Sequence, residues 1–242
     1  MSRSWPAVLL VLLLMLSMGG NVLVGTAALD SYRQLWLERI GLGAYTAPAQ
    51  APVPVDILYL GDSRIAGWTS LPTVDGLTTA NAGVGGQTSA MLLGRLDGHI
   101  LAHTPRVVVL QVGINDLKVI GMVPERADEI FAACEANMRS IVASITASGA
   151  GVLLLTVIPA GESLVRRTVL WSDRVDLAIV ELNERLLALG SESVVVVDCA
   201  RALASDGRLS TAHSDGFLHL NAGGYEQLSK SIRGPLEGLI GR

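Results

Sequence analysis

Two distant segments of the chain carry residue types that together could perform nucleophilic catalysis. Ser63 follows the apolar run 55–60, and a serine at a strand-to-helix turn becomes a nucleophile when a base takes its proton. His219 could be that base, and Asp215, four residues earlier, could fix its tautomer and stabilise the imidazolium. The competing interpretations are an ordinary helix-capping serine and a structural histidine.

Two further loops offer hydrogen-bond donors for a developing oxyanion. The glycine-rich stretch 81–88 contains Gly86, whose backbone amide could face such an oxygen, and Asn115 carries a carboxamide that could donate to it. A turn asparagine is the competing interpretation of Asn115. The glycine spacing does not match a dinucleotide fingerprint, so no such cofactor is expected. The acidic neighbours Asp62 and Asp116 are expected to brace their turns by hydrogen bonds rather than to react.

The alternation of apolar runs and amphipathic stretches predicts the elements that position these loops. Strands that are apolar throughout are typical of a sheet covered on both faces, and their alternation with helices predicts a parallel sheet. Ligands of such sheets bind at the carboxyl ends of the strands, where these loops lie. The predicted strands include residues 55–60, 106–112, 151–158 and 193–197.

The composition argues against several classes of function. The net charge is −4 and only 17% of the residues are charged, without a basic stripe, so nucleic-acid binding is not expected. The two cysteines, Cys134 and Cys199, are too few for a disulfide scaffold or a multi-thiolate zinc site, and no metal is expected.

The N-terminal region lacks charge between Arg3 and Asp30. Such a stretch is long enough for a signal-peptide core or for a bilayer-spanning helix, and both predict export. Helical periodicity that continues to Ile40 favours an uncleaved anchor formed by residues 5–29, on the periplasmic or extracellular side; cleavage and secretion is the alternative. The predicted divisions are a signal peptide or membrane anchor over residues 1–29, a juxtamembrane helix and proline-rich linker over 30–54, and the catalytic domain over 55–242.

The segments that carry Ser63, Gly86, Asn115 and His219, in this order along the chain, resemble the motifs of the SGNH hydrolase superfamily. This superfamily comprises the GDSL-type esterases and lipases. The resemblance covers about residues 55–225 and rests on the phrases GDSR, NAGVGGQT, QVGINDL and DGFLHLNAGGY. It implies a flavodoxin-like three-layer α/β/α fold with a parallel five-stranded sheet, preceded here by the hydrophobic N-terminal helix. It also implies acyl chemistry without metal or organic cofactor. The family roles fall on Ser63, Gly86, Asn115 and His219.

Two positions depart from the family pattern. Arg64 stands where the founding pattern has leucine, and this side chain could bind an anionic substrate or form an ion pair on the surface. The family usually places aspartate three residues before the histidine, whereas Asp215 lies four before His219. Either the extra residue bulges outward and leaves the carboxylate in place, or Ser63 and His219 form a dyad.

The sequence therefore predicts a carboxylic ester hydrolase that forms an acyl-enzyme on Ser63. The expected substrate is a small-molecule or glycan ester, and the oxyanion hole combines the amides of Ser63 and Gly86 with the side chain of Asn115. An acyltransferase would use the same residues and exclude water from the acyl-enzyme. A non-catalytic binding module is favoured only by the altered spacing between Asp215 and His219.

Overall fold

A parallel five-stranded sheet forms the centre of the protein, whose computed structural model describes residues 5–42, 53–162 and 171–241. The strand order β2-β1-β3-β4-β5 is that of flavodoxin-like folds, which confirms the predicted fold class. The strands are β1 Ile57–Gly61, β2 Thr79–Gly83, β3 Val107–Gln111, β4 Gly151–Leu155 and β5 Val194–Val197.

Helices cover both faces of the sheet, and alternate strand residues point to opposite faces. Leu58 and Leu60 join the core on one side of β1, whereas Ile57 and Tyr59 join the core on the other. The first core includes α3 Ser89–His103, α5 Ala127–Ala147 and α6 Asp173–Leu187, and the second includes α2 Ser63–Ala66, α7 Cys199–Leu203 and α8 Ala222–Ile240.

The remaining short elements lie at the edges of the layers. A single helical turn, α4, and two 3-10 turns follow β3, and two small antiparallel hairpins lie between α7 and α8. They are α4 Ile114–Leu117, the turns Lys118–Gly121 and Pro124–Arg126, the hairpin of β6 Ala204–Ser205 with β7 Arg208–Leu209, and the hairpin of β8 Ser214–Asp215 with β9 His219–Leu220.

The N-terminal helix, α1, spans Trp5–Leu37 and continues as a π-helical turn over Glu38–Leu42. Trp36 and Ile40 are buried in the same core as α3 and α5, whereas the apolar side chains from Met18 to Val24 are exposed. Within the described ranges, no helix combines the length and hydropathy that crossing a bilayer requires.

The predicted division of the N-terminal region stays a prediction. Most of the proline-rich linker falls on residues 43–52, which lie outside the described residues. After them, the backbone amides of Val53 and Val55 donate to the carbonyls of Ala102 and His103 at the end of α3.

Candidate active site

The loops after three neighbouring strands meet beside Ser63. In the register of the sheet, Gly61 at the end of β1 pairs with Gly83 on β2 and with Gln111 on β3. Because β1 lies between these two strands, the segment that carries Gly86 and the turn that carries Asn115 flank the start of α2. The order of the strands changes direction at β1, which is where ligands of such sheets bind.

Ser63 is the first residue of α2 and is partly exposed. Asp62 caps this short helix: its carboxylate accepts a 2.9 Å hydrogen bond from the Arg64 N–H. Gly61 is required just before the turn, since a Cβ there would lie 2.0 Å from the carbonyl oxygen of Gln111. These contacts place the serine hydroxyl at the carboxyl edge of the sheet.

Two backbone N–H groups among the described residues near Ser63 lack a backbone acceptor. Within the described part of the chain, neither the N–H of Ser63 nor that of Gly86 donates to another backbone carbonyl. Gly86 has a φ of 70°, a left-handed conformation that glycine adopts without strain. Two N–H groups without internal partners are the donors that an oxyanion hole needs.

Asn115 is buried, and both ends of its carboxamide are held. Its Nδ2 donates to the carbonyl of Gln87 over 3.0 Å, and its Oδ1 accepts a 2.7 Å hydrogen bond from the Lys118 ammonium. The first bond ties α4 to the loop of Gly86. The second orients the amide, so that the remaining Nδ2 hydrogen is available to a substrate oxygen.

Asp116 connects the turn of Asn115 to the start of α3. Its carboxylate accepts hydrogen bonds from the backbone N–H of Ser89 over 2.9 Å and from the Ser89 hydroxyl over 2.6 Å. Complete burial raises the pKa of Asp116 to about 7 from an ordinary 3.8, although these bonds oppose the shift. Burial also raises the pKa of Asp62, against the opposing charges of Arg64, Lys118 and His219.

The hairpin that precedes α8 explains the four-residue spacing between Asp215 and His219. The two residues pair directly across its antiparallel ladder, and the turn 216–218 contains the extra residue. Side chains of directly opposed residues lie on the same side of a ladder, with Cβ atoms about 4.5–5.5 Å apart. The Cβ atoms of Asp215 and His219 are therefore expected to be neighbours on one side of the hairpin despite the insertion.

Both of these side chains are exposed. In the described residues, no hydrogen bond joins the imidazole of His219 to Asp215 or to the hydroxyl of Ser63. Catalytic hydrogen bonds of ligand-free enzymes are often long and tighten when substrate binds. The other nearby histidine, His213, lies with Nδ1 3.4 Å from the carbonyl oxygen of Leu203.

The structure contradicts both sequence-based interpretations of Arg64, a binding group for an anionic substrate and a partner in a surface ion pair. It is only 1% exposed, and its guanidinium donates to three backbone carbonyls rather than to a substrate or a surface carboxylate. The acceptors are Leu218 at 2.8 Å, Ile158 at 2.5 Å and Pro159 at 3.2 Å. Arg64 thus joins the serine helix to the residue before His219.

Tyr225 is a second link that the sequence did not reveal. Its hydroxyl donates to the carbonyl of Arg64 over 2.9 Å, and its ring stacks on Trp68 with centroids 5.9 Å apart. The helix that follows His219 is thereby attached to the helix that begins at Ser63. A tyrosine at this helical position has no sequence pattern that distinguishes it from a core residue.

One of the cavities in the described part of the chain lies away from this site. It measures about 440 Å³ and is lined by residues at the amino ends of the strands, including Arg106, Gly151 and Ser193. Parallel sheets bind ligands at the opposite edge, and Ser63, Gly86 and Asn115 all follow carboxyl ends. In the described part of the chain, no group of three or more His, Cys, Asp and Glu side chains could hold a metal ion.

Comparison with known proteins identifies the family. The model of the GDSL-like lipase/acylhydrolase family matches residues 59–227. The chain belongs to the GDSL-like lipase/acylhydrolase family. It is accordingly a carboxylic ester hydrolase of the GDSL type, and it is placed in the SGNH hydrolase superfamily, as the resemblance of its motifs predicts.

Proteins similar to this GDSL-family chain include an acetylhydrolase subunit, a lipase and an esterase by name. It is 28% identical over 188 residues to the platelet-activating factor acetylhydrolase IB subunit alpha2 of Rattus norvegicus, covering 73% of this chain and 74% of the relative. A GDSL-like lipase structure from Bacteroides thetaiotaomicron is 22% identical, with 76% of this chain and 88% of that chain covered and a TM-score of 0.60. An acetyl xylan esterase structure is 17% identical, with 75% and 99% covered and a TM-score of 0.59. The two structures share the fold.

Proposed function

We propose that this GDSL-family hydrolase forms an acyl-enzyme on Ser63, with His219 as general base and then general acid. The Ser63 oxygen attacks the ester carbonyl carbon while His219 takes the hydroxyl proton. The tetrahedral intermediate then collapses, and the imidazolium returns the proton to the departing alcohol. Water attacks the acyl-enzyme by the same route in reverse, which releases the acid and the free serine.

The observation that carries this proposal is the set of three donors around Ser63. The unpaired N–H groups of Ser63 and Gly86 and the fixed carboxamide of Asn115 belong to loops after three adjacent strands. Donors of this kind stabilise charge that develops on the carbonyl oxygen, and loss of one typically costs about 2.7–4 kcal/mol of transition-state stabilisation.

The hairpin supports Asp215 as the residue that orients His219. Its backbone pairs with that of the histidine, so the carboxylate can reach the ring nitrogen that does not face the serine. The same pairing supports a catalytic protein over a non-catalytic binding module, because the altered spacing is the only feature that favoured the module.

Hydrolysis is favoured over acyl transfer to another acceptor by the exposure of His219. Deacylation needs a water molecule within reach of the imidazole, and a transferase must exclude that water. We propose a short acyl group on a small-molecule or glycan alcohol, since the names of two relatives specify acetyl esters. A panel of nitrophenyl esters from acetate to decanoate tests this choice.

We also propose that the catalytic domain works outside the cytoplasmic membrane. The support is the sequence itself, in which residues 4–29 carry no charge. Both an uncleaved anchor and a cleaved signal peptide lead to this location.

Replacement of the nucleophile tests the mechanism. Ser63→Ala should abolish hydrolysis of nitrophenyl acetate and labelling by a fluorophosphonate probe, because no oxygen remains to be acylated. Circular dichroism should match that of the wild type. The exposed Ser70 provides the matched control, and Ser70→Ala should keep both activities. Undiminished labelling of Ser63→Ala would place the nucleophile elsewhere.

A further inference from the structure

We propose that the end of the N-terminal helix is part of the active site, where Arg39 is a positioning residue that holds the loop of Gly86. Trp36, one turn earlier, covers Lys118, which orients Asn115. This inference rests on the proposed function, in which Gly86 and Asn115 stabilise the oxyanion. It assigns a catalytic contribution to a segment that the sequence predicts only as a juxtamembrane connection.

Arg39 forms hydrogen bonds with the loop of Gly86 through both its side chain and its backbone. Its Nη2 donates to the carbonyl of Gly86 over 2.8 Å, and its own carbonyl accepts a hydrogen bond from the hydroxyl of Thr88. A Cβ on Gly86 would lie 3.0 Å from the same Nη2, so the guanidinium packs directly against this residue. The two bonds fix the loop on both sides of Gln87, and they hold the left-handed backbone of Gly86 that sets the direction of its N–H.

Trp36 connects the same helix to the second donor. The Lys118 ammonium lies 3.7 Å from the centroid of the Trp36 ring and 2.7 Å from Oδ1 of Asn115. An ammonium over an aromatic face is attracted to the ring, and this attraction is stronger when water is excluded. With Oδ1 bound to a cation, the N–H groups of the Asn115 carboxamide become stronger donors and point away from Lys118.

The helix end is packed firmly enough to act as a support. Trp36, Leu37 and Ile40 are 5%, 5% and 1% exposed, and they belong to the core that includes α3 and α5. Gly41 leaves the helix with a φ of 84°, and a Cβ there would lie 2.8 Å from Cβ of Ala90. The contacts of Arg39 are therefore those of a docked element, whereas a protein that starts after residue 42 lacks all of them.

The test compares Arg39→Ala with Arg33→Ala in the full-length chain. Arg33 is the matched control, because it lies on the same helix and pairs with Asp30 at 3.4 Å, away from the glycine loop. For each variant we would measure kcat and KM for nitrophenyl acetate, with active sites titrated by phosphonate. The inhibition constant of a trifluoromethyl ketone, which forms a tetrahedral adduct, reports the oxyanion hole directly. Amide hydrogen exchange of the peptide over residues 84–88 reports the loop without any need for activity.

Arg39→Ala should lower kcat roughly 10- to 100-fold, since a small displacement of an oxyanion donor is costly in the transition state. KM should stay within about twofold, and the inhibition constant should rise by the same factor as kcat falls. Exchange over residues 84–88 should become faster. Arg39→Lys, which keeps a donor of positive charge, should recover part of each change, and Arg33→Ala should match the wild type.

Unchanged kcat, ketone affinity and amide exchange in Arg39→Ala would overturn the inference while leaving the proposed function intact. A fall in kcat equal to that of Arg33→Ala would also overturn it, because a general loss of stability would then suffice. If the wild type neither hydrolysed esters nor reacted with phosphonate, the proposed function would fail. Loop protection that depends on Arg39 would still support the positioning contact in that case.

Discussion

The carboxylate of Asp215 is exposed, yet the backbone of this residue pairs with that of His219. Exposure weakens the electrostatic contribution of a carboxylate, because water screens it. Its other contribution, holding the imidazole in one tautomer and orientation, depends on geometry and survives exposure. At the scale of single residues, Asp215 is therefore expected to orient His219 more than to stabilise its charge.

Replacing the carboxylate by an amide separates these contributions. Asp215→Asn should lower kcat on the order of 10- to 1000-fold, less than the roughly 10⁴-fold loss in a buried serine-protease triad. We would record kcat against pH for both proteins. The exposed Asp206, in the turn between β6 and β7, gives a matched control, and Asp206→Asn should leave the profile unchanged. An Asp215→Asn variant within about twofold of the wild type at every pH would remove Asp215 from the mechanism.

At the scale of elements, Arg64 joins parts of the chain that the sheet does not connect. Its three acceptors lie on the segment after β4 and in the hairpin turn before His219. A buried carbonyl left without a donor costs about 1–3 kcal/mol. Arg64 is therefore a structural link between the helix that begins at Ser63 and the hairpin that contains His219.

Arg64→Met keeps much of the apolar stem and removes the donors. The free energy of unfolding should fall by on the order of 3–5 kcal/mol, since carbonyls of two loops lose their partner. Urea denaturation measures this change. Arg139→Met is the control: this exposed arginine pairs with Glu135 on the helix surface, and its loss should cost less than about 1 kcal/mol. Equal stabilities of the two variants would contradict the role of Arg64.

The contact between α4 and the start of α3 should make stability depend on pH. The pKa of Asp116 is raised to about 7 by burial, so the folded state binds this proton more tightly than the unfolded state does. The stabilising contribution of Asp116 is then fully present below about pH 4 and is lost as the pH rises through 7. Asp116→Asn, which does not titrate, should gain stability relative to the wild type between these limits. Urea unfolding at several pH values checks this, and parallel profiles of the two proteins would argue against it.

At the scale of the whole molecule, α1 joins the uncharged N-terminal stretch to the catalytic core. Its exposed apolar side chains include Leu14, Met18 and Val24, whereas Trp36, Leu37 and Ile40 in its last turns are buried against α3 and α5. A single element thus leads from the segment that predicts export to Arg39, whose side chain donates to the carbonyl of Gly86. Its two ends are expected to tolerate different substitutions.

A reporter fusion tests the proposed location. Alkaline phosphatase fused after Arg39 should be active in intact bacteria, because this enzyme matures only after export. The matched control carries Leu12→Arg and Leu13→Arg, and it should lose reporter activity, since each charge at the centre of an apolar stretch costs about 2.5–3.5 kcal/mol in insertion. An inactive fusion, together with native esterase activity in the cytoplasmic fraction, would contradict export.

The pattern of apolar runs and amphipathic stretches is sufficient to predict the architecture, and short motifs are sufficient to select the candidate site residues. Strands β1, β3 and β4 are recognisable because burial on both faces requires apolar runs. The two half-buried edge strands differ: β5 is recognisable by its four valines, whereas β2, with the sequence TANAG, has no apolar run. The candidate residues Ser63, Gly86, Asn115 and His219 are recognisable because each lies within a short local motif.

The groups that support these residues from distant parts of the chain are visible only in the folded protein. Arg64 reaches Leu218 across 154 positions, and Arg39 reaches Gly86 across 47. Asp215 faces His219 because the hairpin turn accommodates one extra residue, which a count of spacing cannot distinguish from a lost partner. Hydrophobic periodicity and short motifs in the sequence indicate the backbone conformation and the burial of residues that are adjacent along the chain. Hydrogen bonds between loops depend on how layers pack, and no periodicity in the sequence encodes them.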